Sequence, residues 1–397
     1  MVSRAALDGS RDRQDWSFYD VFWPICKKNF ASFFPQATIV RTRPERSLPS
    51  SPDSALTSAT VETESGLSHF GAYGEGNPFI DGVIVLVEGR IIFESYPNMK
   101  AYDRHLGWSI TKVVVSTALA ALESKSRVNM DRAVSDYLPE LIGSDWQEIS
   151  LRDIVNMASG MDCLDSDGYQ NTETCIYRYE ESLGLTAAVN PEQSTLDNLR
   201  SMRQHRPSGE KYEYVSADTF VTGLVIESIT GQPLWLALQE LIWDQIGAEA
   251  DALMMISPAG MPASHGGLSA RLRDLARFGE IFTADDALGV VSASHLADLA
   301  SDRGVAFDAA QVTQLARRFN QDVPKKAAWQ WDMIWDDGAM FKGGYSGQGI
   351  FVDPDRDIVA VWYGTSGTGG QSHQLLPLIR KLSKGYDINR SGQRVVE

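Results

Sequence analysis

"GWSITKVVVSTALAALES", residues 107–124, opens with a glycine, an aromatic and a serine, and then turns almost wholly apolar. From Val113 to Leu122 every residue is apolar or small, so no polar face is left. A helix of that kind is buried all round, not amphipathic. Lys112 is the one charge before Glu123. Residues i and i+3 share a helix face, so Ser109 and Lys112 can meet if the helix begins at or before Ser109. There the amide N–H groups lack intrahelical partners and the dipole is positive, which favours developing negative charge. Val113, Val114 and Val115 surround the lysine with hydrocarbon, and desolvation disfavours its ammonium form. A lysine tuned this way can take a serine proton, giving an activated nucleophile. The plainer alternative is a capping serine followed by a lysine that snorkels to solvent. A second S-x-x-K pair, Ser208 and Lys211 in "RPSGEKYEY", lies in a polar, turn-like segment and implies only a solvated lysine.

Working outward, "GVIVLVEGRIIFESYP" (82–97) carries two apolar runs about a short turn and reads as a β-hairpin. "GIFVDPDRDIVAVWYG" (349–364) repeats that pattern near the other end of the chain. Between them, patterns such as "SLRDIVNMASGM" and "ADTFVTGLVIESITGQPLWLALQELIWDQIG" are helical, the latter split at "TGQP". "HGGLSARLRDLARFGEIF" reads as a glycine turn entering an amphipathic helix, and "QLLPLIRKLSKGY" as a closing helix. Residues 1–45 wrap onto the body, and the Ser/Pro-rich 46–60 segment is a loop. Strands early and late with helices between them predict an α+β fold. An antiparallel sheet built from both chain ends is flanked by helices and holds a mostly helical insertion. The expected divisions are 1–105 (N-terminal wrap and first strands), 106–260 (helical domain with Ser109, Lys112 and Tyr214) and 261–397 (the rest of the sheet domain).

The chain has 397 residues, 43% hydrophobic and 22% charged, with ample length for a large core. Its net charge of -16 repels phosphate backbones, which argues against nucleic acid and anionic membranes as partners. No run approaches the length of a transmembrane helix. The first residues lack a signal-peptide apolar core, so a cytoplasmic location is expected, a trimmed export signal staying open. Cys26, Cys163 and Cys175 form no metal-ligand spacing. The expectation is free thiols in a reduced cytosol, with a Cys163–Cys175 pair as the alternative in an oxidising compartment.

Two further motifs stand beside Ser109 and Lys112. "YEYVSADTF" supplies Tyr214-Val215-Ser216, 105 residues after Ser109. "MFKGGYSGQGIFVDP" supplies Lys342-Gly343-Gly344 leading into the second hairpin, with glycines that allow close approach to backbone N–H groups. In order and rough spacing these resemble the S-x-x-K, Y-x-N/S and K-T-G motifs of the serine β-lactamase and penicillin-binding-protein superfamily, over about residues 75–385. Within it, the "DWSFYDVFWPICKKNFASFFPQATIVR" and "EYVSADTFVTGLVIESITG" segments are similar to the 6-aminohexanoate-dimer hydrolase group and its β-lactamase-like esterase relatives. Two departures matter. Gly343 lacks the hydroxyl that helps hold a β-lactam carboxylate, and Ser216 stands where many members have Asn.

The resemblance implies a β-lactamase/transpeptidase-like fold and acyl transfer to Ser109. Lys112 takes the serine proton, and Tyr214 serves the leaving group and then water. The N–H groups of Ser109 and Tyr345 would form the oxyanion hole. Tyr169 matches a substrate-loop tyrosine of the group, and His265 a residue near its cleft. Ser216, Lys342, Gly343 and Gly344 complete the candidate substrate-binding set. Each has a plainer reading: Tyr169 as a loop aromatic, His265 as a satisfied structural histidine, and Tyr214 as a packed ring. Lys342 binds a substrate carboxylate or tunes Tyr214. Trp329, Trp331 and Trp335 line a cleft or fill the core. The expected activity is hydrolysis of a small linear amide or ester, without metal or organic cofactor, by a possible homodimer. An acyltransferase, a D,D-peptidase or β-lactamase, and a non-catalytic acyl-binding module are the alternatives.

Overall fold

Both hairpins form, and they meet. In the computed structural model, which describes residues 34–63, 66–186, 188–189, 193–283, 288–301, 303–365, 375–388 and 394–396, strands β1 (Ile80–Val87) and β2 (Arg90–Ser95) make the first. Short β3 (Val305–Ala306), β4 (Lys326–Ala328) and β5 (Trp331–Ile334) follow. Then come β6 (Met340–Gly344), β7 (Gln348–Asp353) and β8 (Ile358–Gly364). They form one eight-stranded antiparallel sheet in the order β2-β1-β8-β7-β6-β5-β4-β3. Ile84 of β1 lies opposite Val361 of β8, so chain ends far apart in sequence share the sheet centre.

The central strands β1, β7 and β8 are buried at every position and mostly apolar, not alternating, because both faces of the sheet are covered. Val83, Val85 and Val87 belong to one core with Phe351 and Trp362, roofed by the C-terminal helix Leu375–Gly385. Ile84 and Leu86 face the other way, into a larger core. That core takes in α1 (Ile110–Ser124), α2 (Cys175–Ser182), α3 (Ser216–Thr230) and α4 (Leu272–Gly279). Every residue of α1 from Ile110 to Leu122 is buried, as its unbroken apolar character predicts. Helix α5 (Ala309–Phe319) begins with a capping box on Asp308 and Gln311 and lies between β3 and β4 in the chain.

A second sheet, unmarked by any sequence pattern, has four short strands in the order Gln36–Ile39, Ala252–Met255, Leu268–Ala270, His105–Leu106. Strands of two to four residues are too short to show a period. The glycine turn expected to lead straight into a helix at 265–282 therefore contains a strand first. Residues 36–42 do pack on the body, through strand pairing and bonds to Gln239, Asp244 and Asp251; residues 1–33 of the expected N-terminal wrap, with Cys26, lie outside the described residues. The Ser/Pro-rich loop holds one helical turn, Ser54–Ser58, capped by Asp53. Cys163 and Cys175 are joined in a disulfide, which overturns the expected free thiols. Among the described residues no single helix is long and apolar enough to cross a membrane.

Candidate active site

Residues 105–109 lead from the small sheet into α1. The Gly107 N–H donates to the Leu268 carbonyl (2.8 Å), and the Leu268 N–H donates to Thr111 Oγ1 (3.0 Å). Strand Leu268–Ala270 thus clamps both sides of the turn that carries Ser109. Trp108 sits at φ +48°, a left-handed conformation costly for a bulky residue. Its ring packs edge-on against Tyr345 at 5.8 Å. Gly344 lies so near that a Cβ there would come within 2.4 Å of the Gly107 oxygen. Strand β6 and the serine turn are therefore in backbone contact.

Lys112 is fully buried. Its Nζ lies 3.2 Å from Ser109 Oγ, 3.0 Å from Ser216 Oγ and 2.6 Å from the His265 carbonyl oxygen. Burial lowers its pKa from 10.5 to about 7, with nearby Asp165 opposing the fall. Ser216, at the start of α3, donates its hydroxyl proton to Asp165 Oδ2 (2.6 Å) and its N–H to Oδ1 (2.8 Å). The Ser216 oxygen must therefore accept from Lys112, and the His265 carbonyl can only accept. In a neutral amine these two bonds use both N–H groups, leaving the lone pair for Ser109 Oγ.

Tyr214 also hydrogen-bonds to Ser109, and its ring lies beneath both Lys112 and Lys342. Lys342 Nζ donates to the Tyr214 oxygen (3.0 Å) and to Asp332 Oδ1 (2.5 Å). Burial, then Asp332 and Asp165, push the Tyr214 phenol well above its usual value, so it keeps its proton. Lys342 does not act as an uncompensated charge that acidifies the tyrosine, because Asp332 neutralises it. It is wholly buried behind Tyr214 and does not line the cavity. The two glycines also make contacts of their own. The Gly343 N–H donates to Asp332 Oδ2 (2.9 Å), and Gly344 serves the close approach to Gly107.

Ser109, Lys112, Tyr214, Ser216 and Tyr345 line one cavity of about 760 Å³ together with Tyr169, His265 and Gly343. The Tyr169 hydroxyl donates to Asp165. Glu180 of α2 can only accept, so His265 Nε2 donates to it (2.9 Å), and Nδ1 accepts from Tyr179 (2.9 Å). His265 is thus a held histidine whose carbonyl serves Lys112. Trp329, Trp331 and Trp335 are core residues; Trp331 packs against Phe282 at 5.2 Å. Lys211 pairs with Asp308 at 3.0 Å, half exposed, and neither lines the cavity.

Sequence reasoning missed three carboxylates. Asp165 stands among Asp162 and Asp167 in one polar loop, with nothing to single it out. Glu180 lies in an ordinary amphipathic helix. Asp332 carried a readable signal, a lone acid in the apolar run "WQWDMI".

A family model described as beta-lactamase matches residues 81–383. The 6-aminohexanoate-dimer hydrolase of Paenarthrobacter ureafaciens is 26% identical over 285 residues, 71% of this chain and 71% of that protein. A candidate 6-aminohexanoate-dimer hydrolase from Bacillus anthracis superposes with a TM-score of 0.76 at 20% identity, covering 93% of this chain and 94% of that one. EstCE1, a hydrolase with promiscuous acyltransferase activity, superposes with a TM-score of 0.61 at 16% identity, over 78% of this chain and 94% of its own. The fold is that of the β-lactamases and transpeptidases.

Proposed function

Since the chain belongs to the beta-lactamase family of hydrolases, we propose that it cleaves a small linear amide or ester through an acyl-enzyme on Ser109. The observation that carries this reading is the hydrogen-bond direction at Lys112. Ser216 and His265 take both N–H groups of the neutral amine, and the lone pair faces Ser109 Oγ. With a pKa of about 7, a large share of Lys112 is neutral at physiological pH.

In the forward half-reaction Ser109 Oγ bonds to the substrate carbonyl carbon and its proton passes to Lys112. The carbonyl oxygen becomes an oxyanion, facing the N–H groups of Ser109 and Tyr345. Collapse breaks the bond to the leaving nitrogen or oxygen, which takes the Tyr214 proton. The Lys342 N–H stabilises the phenolate that forms, and the proton held by Lys112 then restores the phenol. Water repeats the sequence on the acyl ester, and Ser109 regains its proton. The likeness to a 6-aminohexanoate-dimer hydrolase favours linear amides. Gly343, in place of the usual hydroxyl residue, argues against β-lactam carboxylate binding.

The test is intact mass after brief mixing with an activated ester such as 4-nitrophenyl acetate, run beside Ser109→Ala. One added acetyl mass in the wild type alone supports the scheme. Equal labelling of the variant, or turnover that survives the substitution, refutes it.

A further inference from the structure

Lys342 and Gly343 together make an anion receptor, and the chain fills it with one of its own side chains. The Lys342 ammonium and the Gly343 N–H converge on Asp332. Oδ1 accepts from Lys342 Nζ (2.5 Å) and Oδ2 from the Gly343 N–H (2.9 Å). An ammonium and a backbone N–H that share one carboxylate are the partners a free carboxylate ligand also seeks. Asp332 comes from β5, the strand paired with β6, and the Tyr212 hydroxyl approaches Oδ1 at 3.5 Å. Asp332 and Gly343 line the cavity, whereas the Lys342 side chain has no exposure and does not. The Asp332 carboxylate therefore stands between the buried ammonium and the cavity.

This receptor lies on the leaving-group side of Ser109. The Tyr214 oxygen is 3.0 Å from Lys342 Nζ. A leaving atom hydrogen-bonded to Tyr214 thus lies within about 6 Å of Lys342, two hydrogen-bond lengths. A carboxylate on the carbon next to that leaving nitrogen or oxygen spans the gap to Lys342 and Gly343. In this chain it meets Asp332 instead. Two carboxylates at one ammonium repel each other. Neither lysine of the site compensates. Lys342 is already paired, and Lys112, with a pKa of about 7, is in large part neutral at physiological pH. Asp165 adds a second carboxylate to the cavity wall.

We propose that Asp332 is a specificity-determining residue, occupying the place that a carboxylate beside the scissile bond would take and so restricting the enzyme to leaving groups uncharged at that carbon. The assignment rests on the reading that Tyr214 protonates the leaving group, and it deepens that reading to a substrate class. Amides of simple amines and esters of simple alcohols are accepted. N-acyl α-amino acids, peptides cleaved before their last residue and β-lactams all carry the excluded carboxylate. A purely structural Lys342–Asp332 pair makes a different prediction, because its loss would slow every substrate alike.

Two measurements test this. The first compares S-acetylthioglycolate with its neutral isostere S-acetylthioglycolamide, reading the released thiol with a chromogenic disulfide. By kcat/KM the wild type should use the neutral substrate about 10-fold better or more. In Asp332→Gly that ratio should shift toward the carboxylate by about 10- to 100-fold, the usual contribution of a charged hydrogen bond. Intrinsic reactivity cancels when two proteins are compared on the same pair. Asp332→Asn, which fills the site without the charge, should shift the ratio the same way by less. A wild type that uses both substrates alike, or variants that slow both alike, overturns the proposal. The second measurement needs no turnover. Sodium formate, at an ionic strength fixed with sodium chloride, should raise the melting temperature of Asp332→Gly and not that of the wild type, because formate refills the emptied receptor. A folded Asp332→Gly that ignores formate overturns the proposal. If that variant does not fold even in formate, the ratios of the wild type and Asp332→Asn decide. A wild type that turns over neither thioester refutes the hydrolase reading, and the formate response then decides the proposal. Turnover with an unshifted ratio refutes the proposal alone.

Discussion

Asp165→Asn tests the electrostatics of the site most directly, because its effect has a sign that structure alone fixes. Burial lowers the Lys112 pKa, and Asp165 is the largest opposing influence. Two hydrogen bonds in series, 3.0 Å from Nζ to Ser216 and 2.6 Å on to Asp165, keep the charges within about 6 Å of each other. At an effective dielectric of ~20 a unit charge at that range contributes about 3 kcal/mol, or about two pH units. Removing the carboxylate disfavours the ammonium, so Lys112 loses its proton at lower pH. The acid limb of kcat/KM against pH should stand near 7 in the wild type and move down by up to about two pH units in the variant. The plateau should fall as well, since Asp165 also orients Ser216 and Tyr169. The assay is hydrolysis of 4-nitrophenyl acetate from pH 4.5 to 9 at constant ionic strength, with Tyr169→Phe as the uncharged control. A limb that stays in place, or moves upward, would refute Lys112 as the titrating base.

Three other outcomes follow from the same geometry. Asp332→Asn leaves Lys342 buried without its counter-charge, which should cost about 3–5 kcal/mol in urea denaturation and slow turnover through Tyr214; an unchanged midpoint would contradict the pairing. Gly344→Ala places a Cβ 2.4 Å from the Gly107 oxygen, so kcat should drop more than the ~1–3 kcal/mol stability loss accounts for, and a fully active variant would mean that the serine turn yields easily. The Cys163–Cys175 bridge closes a loop that carries Asp165 and Tyr169. Replacing both cysteines by serine should lower stability by about 3 kcal/mol and reduce kcat/KM, and the variant should no longer respond to reductant.

The local sequence determined a good deal of this protein. An unbroken apolar run from Val113 to Leu122 has one stable environment, the middle of a core, and α1 lies there. The hairpins at Glu88-Gly89 and in "DPDRD" were legible because turn residues separate long apolar strands. Ser109 and Lys112 were legible as a pair because helical spacing is a local property. What only the tertiary structure decided is which groups surround that pair. Asp165, Glu180 and Asp332 come from a loop, a helix and a strand that no periodicity links to Ser109, and the clamp at Leu268 is a three-residue strand. The Trp329–Trp335 cluster shows the same limit from the other side, since composition cannot tell a cleft wall from a core. Hydrogen-bond direction at Lys112 depends on which acceptor faces each proton. Contacts 104 and 153 residues away set it, and only the folded chain brings them together.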